Sequence, residues 1–146
     1  MAKGEGETPE LDQDAETVRA ALGGYGRAVT NGEIEAFLEL LDPEVDLEIP
    51  SVMRQDVVRL KGREAVRHYL EDVAGQYVEL RLDPREFRRL DHGRLLAIGR
   101  WQGRASGGTT PFGSPLALIV ELREGKVARL HGFMDEQQAL EAARRE

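Results

Sequence analysis

Three side chains in this sequence have the type and setting to act on a small organic molecule: Tyr25, Trp101 and Asp135. Tyr25 stands on the apolar stripe of a long helical pattern. There it is either a core tyrosine bonded to backbone or a phenol aimed at a ligand carbonyl. Trp101, the only tryptophan, lies between Gly99 and Gly103. It is either core packing or a stacking wall for a planar ligand. Asp135 follows the last strand pattern and opens a helix, so it serves as an N-cap or as a general acid/base. Glu121 is the other late acidic candidate.

The remaining reactive types point elsewhere. The chain has no cysteine, which excludes disulfides and thiolate chemistry. His68, His92 and His131 lack metal-ligand spacing, so no metal and no cofactor is expected. His68 shares a polar helix side with Arg67, Glu71 and Asp72, and His92 sits in a tight turn. His131 shares a strand parity with Arg129 and Phe133 and should point outward. Arg54, Gln55 and Asp56 form a solvated loop or a rim to a cavity mouth. No nucleophile elbow, P-loop or dinucleotide fingerprint is present; the GGYG run lies inside a helical pattern.

The elements that must position these groups read as follows. Residues 1–8 are expected to be a disordered acidic tail, followed by one domain over 9–146. Thr8 caps and Pro9 opens a helix whose stripe is Leu11, Ala15, Val18, Leu22, Tyr25 and Val29. Gly23, Gly24 and Gly26 lie off that stripe and suggest close packing of another backbone or a kink. Asn31-Gly32 ends the helix. A second helix carries Ile34, Phe37, Leu38 and Leu41 and stops at Asp42-Pro43. Val45, Leu47 and Ile49 alternate as a strand, and Pro50 to Leu60 reads as irregular. Gly62 opens a third helix with Ala65, Val66, Tyr69, Leu70 and Val73 inward. Strands follow at 77–82, 85–90, 94–104, 112–122 and 126–134, the first two broken at Asp83-Pro84. Asp91-His92-Gly93 and Glu124-Gly125 are turns, and 105–111 is a loop. Asp135 caps a last helix with Gln138 as its capping-box partner.

Helices set apart from an antiparallel meander mean an α+β fold. A strongly bent antiparallel sheet with helices on its concave side leaves a cavity at the open end. Strand alternation assigns its lining. Leu95, Ala97, Gly99, Trp101 and Gly103 form the uncharged face of one strand. Ala128, Leu130, Gly132 and Met134 form that of another. The strand at 112–122 is apolar on both parities and should be buried on both faces. One face would line the cavity and the other would meet a second subunit.

The early block GYGRAVTNGEIEAFLELLDPEVDLEIP with LKGREAVRHYL resembles the start of the nuclear transport factor 2-like superfamily, a cone-shaped α+β (cystatin-like) fold. The ending VELREGKVARLHGFMDEQQALEAA resembles SnoaL-like proteins, the group related to polyketide cyclases and ketosteroid isomerases. The resemblance implies a pocket, and in steroid isomerases a helix-borne tyrosine seven residues before the helix-ending glycine. Tyr25 stands at that distance from Gly32. It also implies a general-base aspartate just before a proline, where this chain has Ile49 before Pro50, with Glu48 one residue earlier. The position implied for the family's second carboxylic acid is Ala117. Both catalytic carboxylates are missing, so steroid-isomerase chemistry is not expected.

Net charge is −7, and residues 1–16 carry six carboxylates against Lys3. The acidity therefore belongs mainly to the tail, and no basic footprint for nucleic acid is present. No apolar run could span a bilayer, and a cytoplasmic protein is expected. The function expected is binding of a small apolar ligand by Ile49, Met53, Trp101, Ala117, Leu130, Gly132 and Met134. One alternative is a cyclase-, isomerase- or lyase-type enzyme using Tyr25 and Asp135 on a polyketide-, steroid- or terpenoid-like substrate. Another is a structural dimer module with an incidental cavity. A homodimer is expected through the convex sheet face, with Arg100, Gln102, Arg104, Arg129, His131 and Phe133 contributing.

Overall fold

The computed structural model describes residues 9–51 and 56–145. The expected tail, the Thr8 cap, Met53, Arg54 and Gln55 lie outside the described residues.

Helix α1 (Pro9–Asn31) buries Leu11, Ala15, Val18, Leu22 and Val29, the stripe predicted from spacing. A Cβ on Gly26 would stand 2.7 Å from the Leu80 carbonyl oxygen, so this glycine lets α1 lie directly on a strand backbone. Close packing therefore accounts for it.

Helix α2 (Ile34–Leu38) ends four residues before Asp42-Pro43, contrary to expectation. The Leu40 N–H bonds to the Phe37 carbonyl, tightening the last turn. The Leu40 carbonyl then accepts from the Val127 N–H, which draws the chain into the sheet. Strand β1 (Leu41–Ser51) thus contains Pro43. The proline falls where the ladder to the neighbouring strand shifts register, between Leu41 and Asp46, and its missing N–H costs no bond there.

The segment expected to be irregular holds β2 (Asp56–Lys61), paired antiparallel with β1 from Asp46↔Lys61 to Ser51↔Asp56. Helix α3 (Arg63–Val73) follows and buries Val66 and Leu70. Strand β3 (Tyr77–Arg89) is continuous through Asp83-Pro84, where two strands were expected. A register shift between Pro84 and Glu86 absorbs the proline, on a strand at the sheet edge. Strands β4 (Arg94–Ala105), β5 (Phe112–Arg123) and β6 (Lys126–Phe133) complete the sheet, and α4 (Glu136–Arg145) ends the described chain.

Strand order is β2-β1-β6-β5-β4-β3. All pairs are antiparallel except β1 with β6, a parallel pair that the expected meander lacked. The helices α1 to α3 cover one face over the main core, which includes Val18, Leu70, Leu95, Ala97, Leu118 and Val120. On the other face, Leu96, Ala117 and Ile119 pack with Ala139 of α4, and Leu140 and Ala143 join them. The outward face of β5 is therefore covered by the chain's own last helix, where a second subunit was expected. Among the described residues, no helix is long and apolar enough to cross a membrane.

Candidate functional site: an aromatic cavity under the first helix

A cavity of about 420 Å³ opens between α1, α3 and the inner sheet face. Its polar groups come from helix faces that the fold sets opposite one another. Tyr25 of α1 lines it, with the phenol of Tyr69 as a neighbour. Tyr69 belongs to α3, and Asp72, Val73 and Gln76 follow it at three, four and seven residues, all lining the same space. The spacing keeps Tyr69, Asp72 and Val73 on one side of the helix, and Gln76 lies in the turn beyond its end at Val73. Tyr77 enters from the first residue of β3.

The tyrosines hold their protons tightly. Burial, then the neighbouring phenols of Tyr69 and Tyr77, raise Tyr25 well above the ordinary phenol value. Burial and Tyr69 also raise Tyr77. Each would be costly to ionise because the lining offers no cation to stabilise a phenolate. Among the described residues lining the cavity there is no lysine, arginine or histidine.

Ring orientation is fixed by neighbouring aromatics. Trp101 lines the cavity and meets Phe112 edge-on, with centroids 5.4 Å apart and planes at 87°. Phe112 also touches Tyr77 at 6.0 Å. Tyr25 packs against Phe37 at 5.7 Å and 66°. Edge-to-face geometry of this kind is favourable for aromatic quadrupoles.

Of the residues expected from sequence, Tyr25, Ile49, Trp101, Leu130, Gly132 and Met134 are brought together around this cavity. A Cβ at Gly132 would lie 2.8 Å from Pro50 Cδ, so a bare backbone lets β6 close against β1 there. Ala117 is a correction: it is fully buried on the opposite sheet face, against α4. Both parities of β5 are apolar, so alternation could not say which one faced the cavity. Asp135 is a second correction, since it does not line the cavity. It is exposed, and its Oδ1 accepts the Gln138 N–H at 2.9 Å, the expected cap. Gln138 Oε1 accepts the Met134 N–H in return.

Sequence reasoning missed Tyr69 and Tyr77 as site groups; it placed Asp72 on the solvent side, where it is exposed, without the cavity mouth that this side borders. The signal available was the Tyr69–Asp72–Val73–Gln76 spacing. Glu48 also borders the cavity, but its carboxylate turns to Arg59 at 3.2 Å and to His131 at 3.8 Å. Asp72 is exposed at the rim and has no ion-pair partner among the described residues.

The outer sheet face is a charge ladder. His131 is only 13% exposed and lies 3.4 Å from Asp46. Arg129 reaches Asp46 and Glu121. His131 therefore faces outward as expected, but it is held by carboxylates of β1. Among the described residues, no group of side chains could hold a metal ion.

The profile of the SnoaL-like domain family matches residues 23–130. Among curated proteins, none matches the chain significantly. Solved structures share the fold. A candidate polyketide cyclase from Xanthomonas campestris superposes with a TM-score of 0.64 at 18% identity, over 90% of this chain and 96% of that one. TerC, crystallised with polyporic acid, gives 0.65 at 21% identity, over 89% and 96%. A protein of ketosteroid isomerase-like fold from Catenulispora acidiphila, in complex with trimethylamine, gives 0.62 at 14% identity, over 79% and 85%.

Proposed function

The chain belongs to the SnoaL-like domain family, and from that premise we propose that it binds a small, largely apolar organic molecule in the cavity beneath α1. The carrying observation is the lining. It is aromatic and aliphatic, with three phenols as its central polar groups. Pockets of this size and composition suit small ligands, with a few polar groups fixing orientation. Tyr25, Tyr69 and Tyr77 supply hydroxyls able to donate to or accept from a ligand oxygen.

The fold itself does not choose the ligand, since the two neighbours with bound molecules hold an acid and an amine. The enzymatic reading with Tyr25 and Asp135 as partners finds no support, because those residues are not brought to one place. Self-association belongs to this reading through Arg100 and Gln102, which are exposed on β4, and Arg104, 4.0 Å from Glu79. Sedimentation of the purified chain checks it.

The binding reading is tested by a thermal-shift screen with aromatic, polyketide-like, steroid and terpenoid compounds, repeated on Trp101→Ala and Tyr25→Phe. A compound that raises the melting temperature of the wild type and less that of either variant is the expected result. A cavity that no compound occupies would end this reading.

A further inference from the structure

The charge balance of the cavity narrows what it can hold. Six aromatic side chains line it, among them Tyr25 from α1, Tyr69 from α3, Tyr77 from β3 and Trp101 from β4. Phe37 and Phe112 pack edge-on against Tyr25 and Trp101, which limits how these rings can turn. The face of each ring carries the negative end of its quadrupole, and Trp carries the strongest. The rim adds Asp72, a carboxylate with no ion-pair partner among the described residues. No basic side chain among the described residues lines the space.

The formal charges and ring faces of the lining therefore share one sign, and the phenols can turn an oxygen lone pair inward as readily as a proton. A carboxylate or phosphate ligand would lose its hydration and gain no cation in return. A primary ammonium is strongly hydrated and asks for three acceptors. An alkylated ammonium spreads its charge over methyl groups, has few or no N–H donors, and is the cation that aromatic walls hold best.

Resting on the binding reading above, we propose that the ligand class is an apolar organic cation, a tertiary or quaternary ammonium. Its head lies among Tyr25, Tyr69, Tyr77 and Trp101, and its charge faces Asp72. The aliphatic remainder of the cavity, including Leu82, Leu118 and Leu130, takes the hydrocarbon part.

The test uses three probes of one shape on the full chain: 4-(trimethylammonio)phenol, 4-tert-butylphenol and 4-hydroxybenzenesulfonate. Calorimetry should give the ammonium an affinity about tenfold or more above its neutral isostere, with the sulfonate weakest; tenfold corresponds to roughly 1.4 kcal/mol. Asp72→Asn and Trp101→Leu should each shrink the ratio of ammonium to tert-butyl affinity. If Trp101→Leu does not fold, Tyr77→Leu serves the same purpose. Equal or tighter binding of the tert-butyl compound overturns the cation assignment while leaving the cavity a binding site. Tightest binding of the sulfonate overturns it in the same way. No binding of any of the three overturns it too, and the broader screen then decides whether the binding reading falls with it.

Discussion

The phenol of Tyr25 on α1 has the phenol of Tyr69 on α3 as a close polar neighbour, which raises its pKa, and this pair brings two helices together at the cavity. Neither residue is adjacent to the other in sequence or in the sheet. They meet because α1 and α3 both border the cavity. Removing one hydroxyl takes away the polar neighbour of the other in a largely apolar space, which costs about 0.5–1.5 kcal/mol. Tyr25→Phe and Tyr69→Phe should each lower stability. The double variant should lose less than the sum, with a coupling of about 0.5–1.5 kcal/mol in urea denaturation. Additive losses would mean that the hydroxyls do not depend on each other.

The same pair gives the protein an alkaline weakness. In the unfolded chain a tyrosine ionises near pH 10, whereas the folded state holds Tyr25 protonated well beyond that. Above about pH 10 the unfolded state therefore binds fewer protons than the native state, and stability falls as pH rises. Below pH 10 both states are protonated and the contribution is fully present. Denaturation between pH 8 and 11 should show the decline, and Tyr25→Phe should flatten it. A Tyr25→Phe slope equal to that of the wild type would place the cause elsewhere.

Two glycines three residues apart should respond oppositely to alanine. At Gly26 the new Cβ would meet the Leu80 carbonyl at 2.7 Å, and a backbone atom cannot move aside cheaply. Gly26→Ala should cost about 1–3 kcal/mol by overpacking. At Gly23 the nearest group is the flexible end of Arg27 at 3.4 Å. Gly23→Ala should instead gain about 0.5–1 kcal/mol from helix propensity. Melting temperatures of the two variants settle the contrast.

Helix α4 depends on a buried arginine. The Arg94 guanidinium, 5% exposed, donates to the carbonyls of Asp91 at 3.1 Å and Ala143 at 3.3 Å. It ties the hairpin turn to the last turn of the helix. Arg94→Met should cost about 1–3 kcal/mol and raise amide exchange selectively in residues 136–145. Ala117→Asp should loosen the same helix, because its carboxylate would be buried against Ala139 rather than in the cavity.

Much of this architecture was legible from alternation and helical spacing. On β4, Leu95, Ala97 and Trp101 do pack with the main core while Leu96 and Ile98 pack under α4. That division followed from the uncharged parity alone. On β5 the same logic had nothing to work on, since the chain covers both of its faces with apolar groups. Proline misled twice for one reason. Pro43 and Pro84 both sit at register shifts, where a strand tolerates a missing donor, and a shift leaves no mark in the sequence. Strand β2 escaped because the adjacent Val57 and Val58 blur the alternation of a short edge strand. The site was half visible. Tyr25 and Trp101 stood out as a lone aromatic on each of two elements. Asp72 and Gln76 did not, because polar residues on a helix normally mark its solvent face, whereas α3 borders the open mouth of a cavity.

Trp101 offers the most direct test, being the only tryptophan and part of the cavity wall. Its emission should change saturably, with one site per chain, when the compound that most raises the melting temperature is titrated in. Leu118→Trp, which fills the cavity from β5, should abolish that compound's effect on the melting temperature. A stabilising compound that leaves Trp101 emission unchanged, or that still stabilises the filled variant, would contradict a binding site beneath α1.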